Sequence, residues 1–177
     1  YLNDFTPSVD AEGRILFSRW EYVDRPAIPI QSLWSINPAG TGLSGVFGNR
    51  VLTPATFMEA KVIPGTNKLL CVLTSHNGPC RGAIGIIDRH FGPNSQKGIR
   101  NLTPEVKIDP VDQGNGNSVR GPYENPLPLD ERFFLVSKRG AVILRDYDGT
   151  REAIVLRPRD GLGFYSPTPI RRQTPPP

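Results

Sequence analysis

Apolar and polar positions along the chain alternate in short runs with a period of two. The runs recur with the same grammar three times. The clearest copy is MEAKVIPGTNKLLCVLTSHNGPCRGAIGIID, from Met58 to Asp88. It predicts a strand from Met58 to Ile63, a turn at Pro64-Gly65-Thr66-Asn67, and an apolar strand from Lys68 to Thr74. A polar loop follows, then a third strand from Gly82 to Ile87. The first copy is FTPSVDAEGRILFSRWEYV with SLWSINPAGTG, and the third is YENPLPLDERFFLVSKR with AVILRDYDGT. Phe5, Met58 and Tyr123 align as openers of the first strands. The second strands follow at Ile15, Leu69 and Phe133, offset by about ten residues, as one reused hairpin requires.

Outer strands are expected at 44–50, 99–102 and 152–156, and Phe164-Tyr165-Ser166-Pro167 reads as the opening of a fourth copy. A four-stranded meander recurring every few tens of residues is the pattern of a β-propeller blade. The expected fold is therefore all-β, a partial β-propeller over residues 1–166. Its three four-stranded antiparallel blades lie at 5–50, 56–104 and 123–158, arranged radially, with the first strand of a fourth at 164–166. Residues 167–177, rich in Pro and Arg, read as an extended tail. Residues 105–122, with Asp112-Gln113-Gly114-Asn115-Gly116-Asn117-Ser118, break the rhythm. They read as a functional or mobile loop of almost no apolar content.

Composition fits this picture. With 37% hydrophobic and 21% charged residues the chain can build a core, and 19 Pro and 18 Gly favour turns over helices. The net charge of +4 is 21 basic minus 17 acidic residues. It is spread rather than clustered, which argues against nucleic-acid binding. No apolar run is long enough to span a membrane as a helix. A chain opening mid-pattern at Tyr1 reads as a piece of a longer protein, so its lack of a signal peptide is uninformative. Cys71 and Cys80 bracket a loop, but hairpin register places Cys71 opposite Gly85 or Ile86. The two thiols are therefore expected unpaired, with Cys71 buried.

Candidate site residues come from two places. Thr6, Glu59, Glu124 and Ser166 each follow the residue that opens a first strand. Equal positions in equal blades converge on the central channel. There Glu59 and Glu124 are suited to hold a cation or basic group, or to accept hydrogen bonds from backbone amides of neighbouring blades. The loops that follow the second strands share one face. They carry Arg19, Glu21, Asp24, Arg25 and His76, either as a salt-bridge network or as a ligand site, with His76 the better placed histidine for a metal or haem edge. His90 falls on the opposite face. No nucleophile–base–acid arrangement, phosphate-binding glycine loop or zinc-ligand spacing is present, so no residue is assigned a catalytic role and no metal ligand set is defined.

The segments GRILFSRWEYVDR, LWSINPAGTG, SHNGPCRGAIGIIDR, IRNLTPEV, DQGNGNSVRGPYENP and GLGFYSPTPIR together resemble the middle propeller domain of proteins related to the hydrazine synthase alpha subunit. LWSINPAGTG alone is also similar to TolB-type propeller repeats. The first resemblance implies a periplasmic or otherwise exported location and a planctomycete-type bacterial source. It also implies partners that are flanking domains or other subunits, and c-type haem or a metal in those flanks. The chain has no Cys-x-x-Cys-His, so no haem attachment is carried onto its own residues. The expected role is a non-catalytic scaffold whose open flank leaves the piece marginally stable or associating. The alternatives are part of a haem redox enzyme whose propeller face completes a haem or metal site, and a TolB-like binding propeller.

Overall fold

The structure is a computed structural model describing residues 2–23, 30–77, 79–108, 110 and 119–170. The chain is all-β, with twelve strands and two single 3-10 turns among the described residues. The strands form three successive antiparallel meanders: β1 (Leu2–Val9), β2 (Ile15–Glu21), β3 (Gln31–Ile36) and β4 (Ser44–Phe47); β5 (Thr56–Val62), β6 (Lys68–Thr74), β7 (Ala83–Asp88) and β8 (Ile99–Asn101); β9 (Tyr123–Pro128), β10 (Phe133–Lys138), β11 (Ala141–Asp146) and β12 (Glu152–Leu156). A single parallel bridge, Gln31 to Thr56, joins the first two meanders into one eight-stranded sheet, so the sheets number two rather than the expected three. Strand β1 begins at Leu2, so residues 2–4 belong to the first meander.

Local chemistry sets the turns. Asp10 Oδ1 accepts from the amides of Glu12 and Arg14, and Asp130 Oδ1 accepts from those of Arg132 and Phe133. Thr66 does the same work between β5 and β6, its hydroxyl donating to Ile63 O at 2.9 Å and accepting from the amide of Lys68. Short polar side chains that satisfy nearby amides are what lets a tight turn form.

The core lies between meanders. Strand β6 carries Leu69, Leu70, Cys71, Val72 and Leu73, all at 0% exposure, with Phe57, Ile84, Ile87, Tyr123 and Phe134 equally enclosed. The first strand of each later meander packs on the one before it, β5 against β1, β2 and β3, and β9 against β5, β6 and β7. Cys71 pairs with Gly85 in register, and it is buried and unbonded while Cys80 is exposed and unbonded, as expected. The 105–122 stretch differs from its reading. Residues 109 and 111–118 lie outside the described residues. Its ends, however, are anchored in the core by Val106 and Val119, and Ser75 Oγ accepts from Val119 N at 2.6 Å and donates to Val119 O at 2.7 Å. Of the expected tail, 171–177 also lie outside the described residues, and 167–170 form no strand.

Candidate functional site

Each first strand carries a bulge at the same place. Between Phe5 and Ser8, Met58 and Lys61, and Glu124 and Leu127, the first strand advances three residues while its partner advances two. The inserted residue takes a left-handed backbone: Thr6 at φ 49°, Glu59 at φ 54°, Asn125 at φ 53°, and Ser166 at φ 49° in the fourth segment. For a residue with a Cβ this conformation costs about 1–2 kcal/mol. Four occurrences at matching positions therefore need a compensating interaction.

Hydrogen bonds supply it. The amide of Glu59 donates to Thr6 Oγ1 at 3.0 Å. The amide of Asn125 donates to Glu59 Oε2 at 2.5 Å, and Asn125 Nδ2 donates to Glu59 Oε1 at 2.6 Å. The amide of Ser166 donates to Asn125 Oδ1 at 3.1 Å. Each meander thus offers one side-chain oxygen to the bulge amide of the next. A second row runs beside the first: Ser8 Oγ donates to Ala60 O at 2.7 Å, and Lys61 Nζ to Pro126 O at 3.0 Å.

This geometry moves one of the four expected residues. Glu124 is not the counterpart of Glu59; the bulge register makes it the counterpart of Met58, and Asn125 takes the relay position. Tyr123, read as the match of Phe5, is instead the match of Phe57, and both are fully buried. The missed signal was the residue after the bulge, which is Pro7, Pro126 and Pro167 in three copies and Ala60 in the other. Of the two earlier uses for Glu59, its carboxylate is engaged in amide capture.

Burial shifts the titratable groups around the relay. Burial lowers the pKa of Lys61, with Glu59 pulling the other way. Burial raises the Glu124 carboxyl, Arg81 opposes that, and Glu59 adds to it. The Cys80 thiol is raised by burial and by the charges of Glu59 and Glu124, which disfavours the nucleophilic thiolate.

Of the loop-face residues, Arg19 and His76 have different partners. Side chains alternate across a strand, so Arg19 and Trp20 leave β2 on opposite faces. Arg19 turns to the outer flank, where Nε meets Asp4 Oδ1 at 2.8 Å and the guanidinium lies 5.5 Å from the Phe17 and Trp34 ring centres. Its pKa is raised mainly by the bond to Asp4, and Glu21 adds a smaller contribution. His76 turns the other way, with Nδ1 2.9 Å from Gln31 Nε2 and its ring edge-on to Trp20 at 5.0 Å. Asp24 and Arg25 lie outside the described residues. His90 is exposed and bonds Asp88 at 3.0 Å. Among the described residues no group of three or more His, Cys, Asp or Glu is set to hold a metal, and no helix is long and apolar enough to cross a membrane.

No family model matches this chain, and no curated protein matches it.

Proposed function

We propose that this chain is a non-catalytic scaffold and interaction module, built as part of a β-propeller. Three blades are followed by residues 164–166, expected as the first strand of a fourth, which form no strand but continue the relay through the amide of Ser166. The observation that carries the reading is the relay from Thr6 through Glu59 and Asn125 to Ser166, which commits the polar groups of the first strands to joining repeats. Exposed apolar side chains on the outer flanks agree with it: Leu2, Phe5 and Val9 on one, Val155, Phe164 and Tyr165 on the other. Such surfaces suit contact with further domains or subunits. Membership of a larger exported protein related to the hydrazine synthase alpha subunit is part of this proposal and follows the resemblance alone.

The test is Glu59→Ala and His76→Ala in the full chain, read by thermal melting, metal content and haem spectrum after addition of haem. Glu59→Ala is expected to cost about 2 kcal/mol, because it strands the bulge amide of Asn125. His76→Ala is expected to change neither metal content nor spectrum. Stoichiometric metal lost with Glu59→Ala, or a haem spectrum altered by His76→Ala with folding intact, would overturn the scaffold reading in favour of an enzyme part.

A further inference from the structure

The junction of the second and third meanders opens into a groove of about 920 Å³. That is near the upper end of the range of roughly 300–1,000 Å³ for ligand sites. Its cations come from three separate stretches of chain. Arg81 precedes β7, Arg120 precedes β9, and Lys138 and Arg139 sit at the β10–β11 turn. Gly82 and Tyr123 hold two of these stretches together by exchanging amide bonds of 2.9 and 3.3 Å. A Cβ on Gly121 would fall 2.3 Å from Gly82 O, so backbone meets backbone beneath the groove.

The charges are unequally matched. Glu105 is the one carboxylate in the lining among the described residues, and its Oε1 already accepts from the Tyr123 hydroxyl and lies 3.8 Å from Arg145 Nη1. Glu152 sits 3.5 Å from Arg145 and 3.6 Å from Lys138, and Lys138 also lies 5.0 Å from the Tyr123 ring centre. Arg81 is partly offset by Glu124. Arg120 donates to Asn77 O at 3.2 Å, and neither it nor Arg139 has a carboxylate partner among the described residues. Three exposed guanidinium groups therefore border an open groove with a tyrosine and prolines in its wall. Guanidinium forks match carboxylates in shape and charge.

We infer that this groove binds an acidic, extended peptide segment of a partner, its carboxylates taken by Arg81, Arg120 and Arg139. The groove shares no residue with the relay, so the inference and the scaffold reading fail independently.

The experiment is fluorescence anisotropy of the full chain with a labelled peptide of alternating Glu and Gly, at low and at physiological salt. Binding is expected at low salt and weaker at physiological salt, as exposed charges are screened. The double variant Arg81→Gln/Arg139→Asn should weaken it about tenfold. Asn suits the positive φ of 50° at position 139, which keeps the backbone undisturbed. Arg100→Gln, which removes one charge on β8 outside the groove, should leave binding unaltered. A photo-reactive version of the peptide on the unmodified chain should label the Pro79 to Arg81 and Pro122 to Tyr123 segments, which makes the test independent of any variant. No binding at low salt, an equal loss in Arg100→Gln, labelling elsewhere, or binding of tripolyphosphate without the peptide would each overturn the inference.

Discussion

The second and third meanders use the same strand order and the same bulge, yet they are buried differently. Strand β6 is enclosed on both faces, while β10 alternates, with Phe134 and Val136 buried and Phe133 and Leu135 half-exposed. The sequences do not differ in kind. Leu69-Leu70-Cys71-Val72-Leu73 and Phe133-Phe134-Leu135-Val136 are both unbroken apolar runs. An unbroken run suits a strand covered on both sides, and the third meander has the sequence for such a position with one side uncovered. Burial in this fold is thus conferred by the neighbour as much as by the strand.

That difference can be tested by deletion. Leu70→Ala should cost about 3 kcal/mol, since a fully enclosed leucine leaves a cavity. Leu135→Ala on the open face should cost under about 1 kcal/mol, because surface changes are usually small. Urea denaturation of the two variants gives both values, and equal losses would break the comparison. The relay offers a second probe. Asn125→Ala removes the acceptor for Ser166 and the side-chain bond to Glu59 Oε1, leaving a Cβ-bearing residue at φ 53° held by its amide bond to Glu59 alone. It should cost about 1–2 kcal/mol, and Asn125→Gly, which relieves the strain, should cost less. If Gly is the worse of the two, the backbone at the bulge is not what the asparagine serves.

The smallest expected effect is one of pH. Burial raises the Glu124 carboxyl above its ordinary value, with Glu59 adding and Arg81 opposing. Folding therefore favours the protonated form. That contribution is present below the ordinary carboxylate range and is lost as pH rises through the raised folded value. Glu124→Gln should then raise the melting midpoint at neutral pH, and the gain should vanish toward about pH 4, where glutamate ordinarily titrates. A fall in the midpoint at neutral pH would show that Arg81 governs the site.

Strand order, the three hairpins and the cysteine register were legible in the sequence, because turn residues and period-two alternation fix them locally. The bulge was not. An inserted residue inverts the alternation after it, and an aromatic at Tyr123 looks like Phe5 until pairing shows it standing opposite Lys138, one step before the counterpart of Phe5. The partners of the loop-face residues were hidden for a related reason. Successive side chains on a strand face opposite ways, so Arg19 meets Asp4 while its neighbour Trp20 meets His76. The anchoring of residues 105–122 depended on two valines set far apart among polar residues, each filling space made by other strands.

The relay behaves as a degenerate code. At each joint the donor is a backbone amide, which every residue but proline provides. The acceptor is any side chain with an oxygen in reach, and the three joints spell it Thr, Glu and Asn. Identity is not specified; only a role is. A repeat written in roles is invisible to a search for repeated letters, and it leaves each joint free to differ in strength. Glu59, holding its neighbour by two bonds, is the strongest word in the sentence.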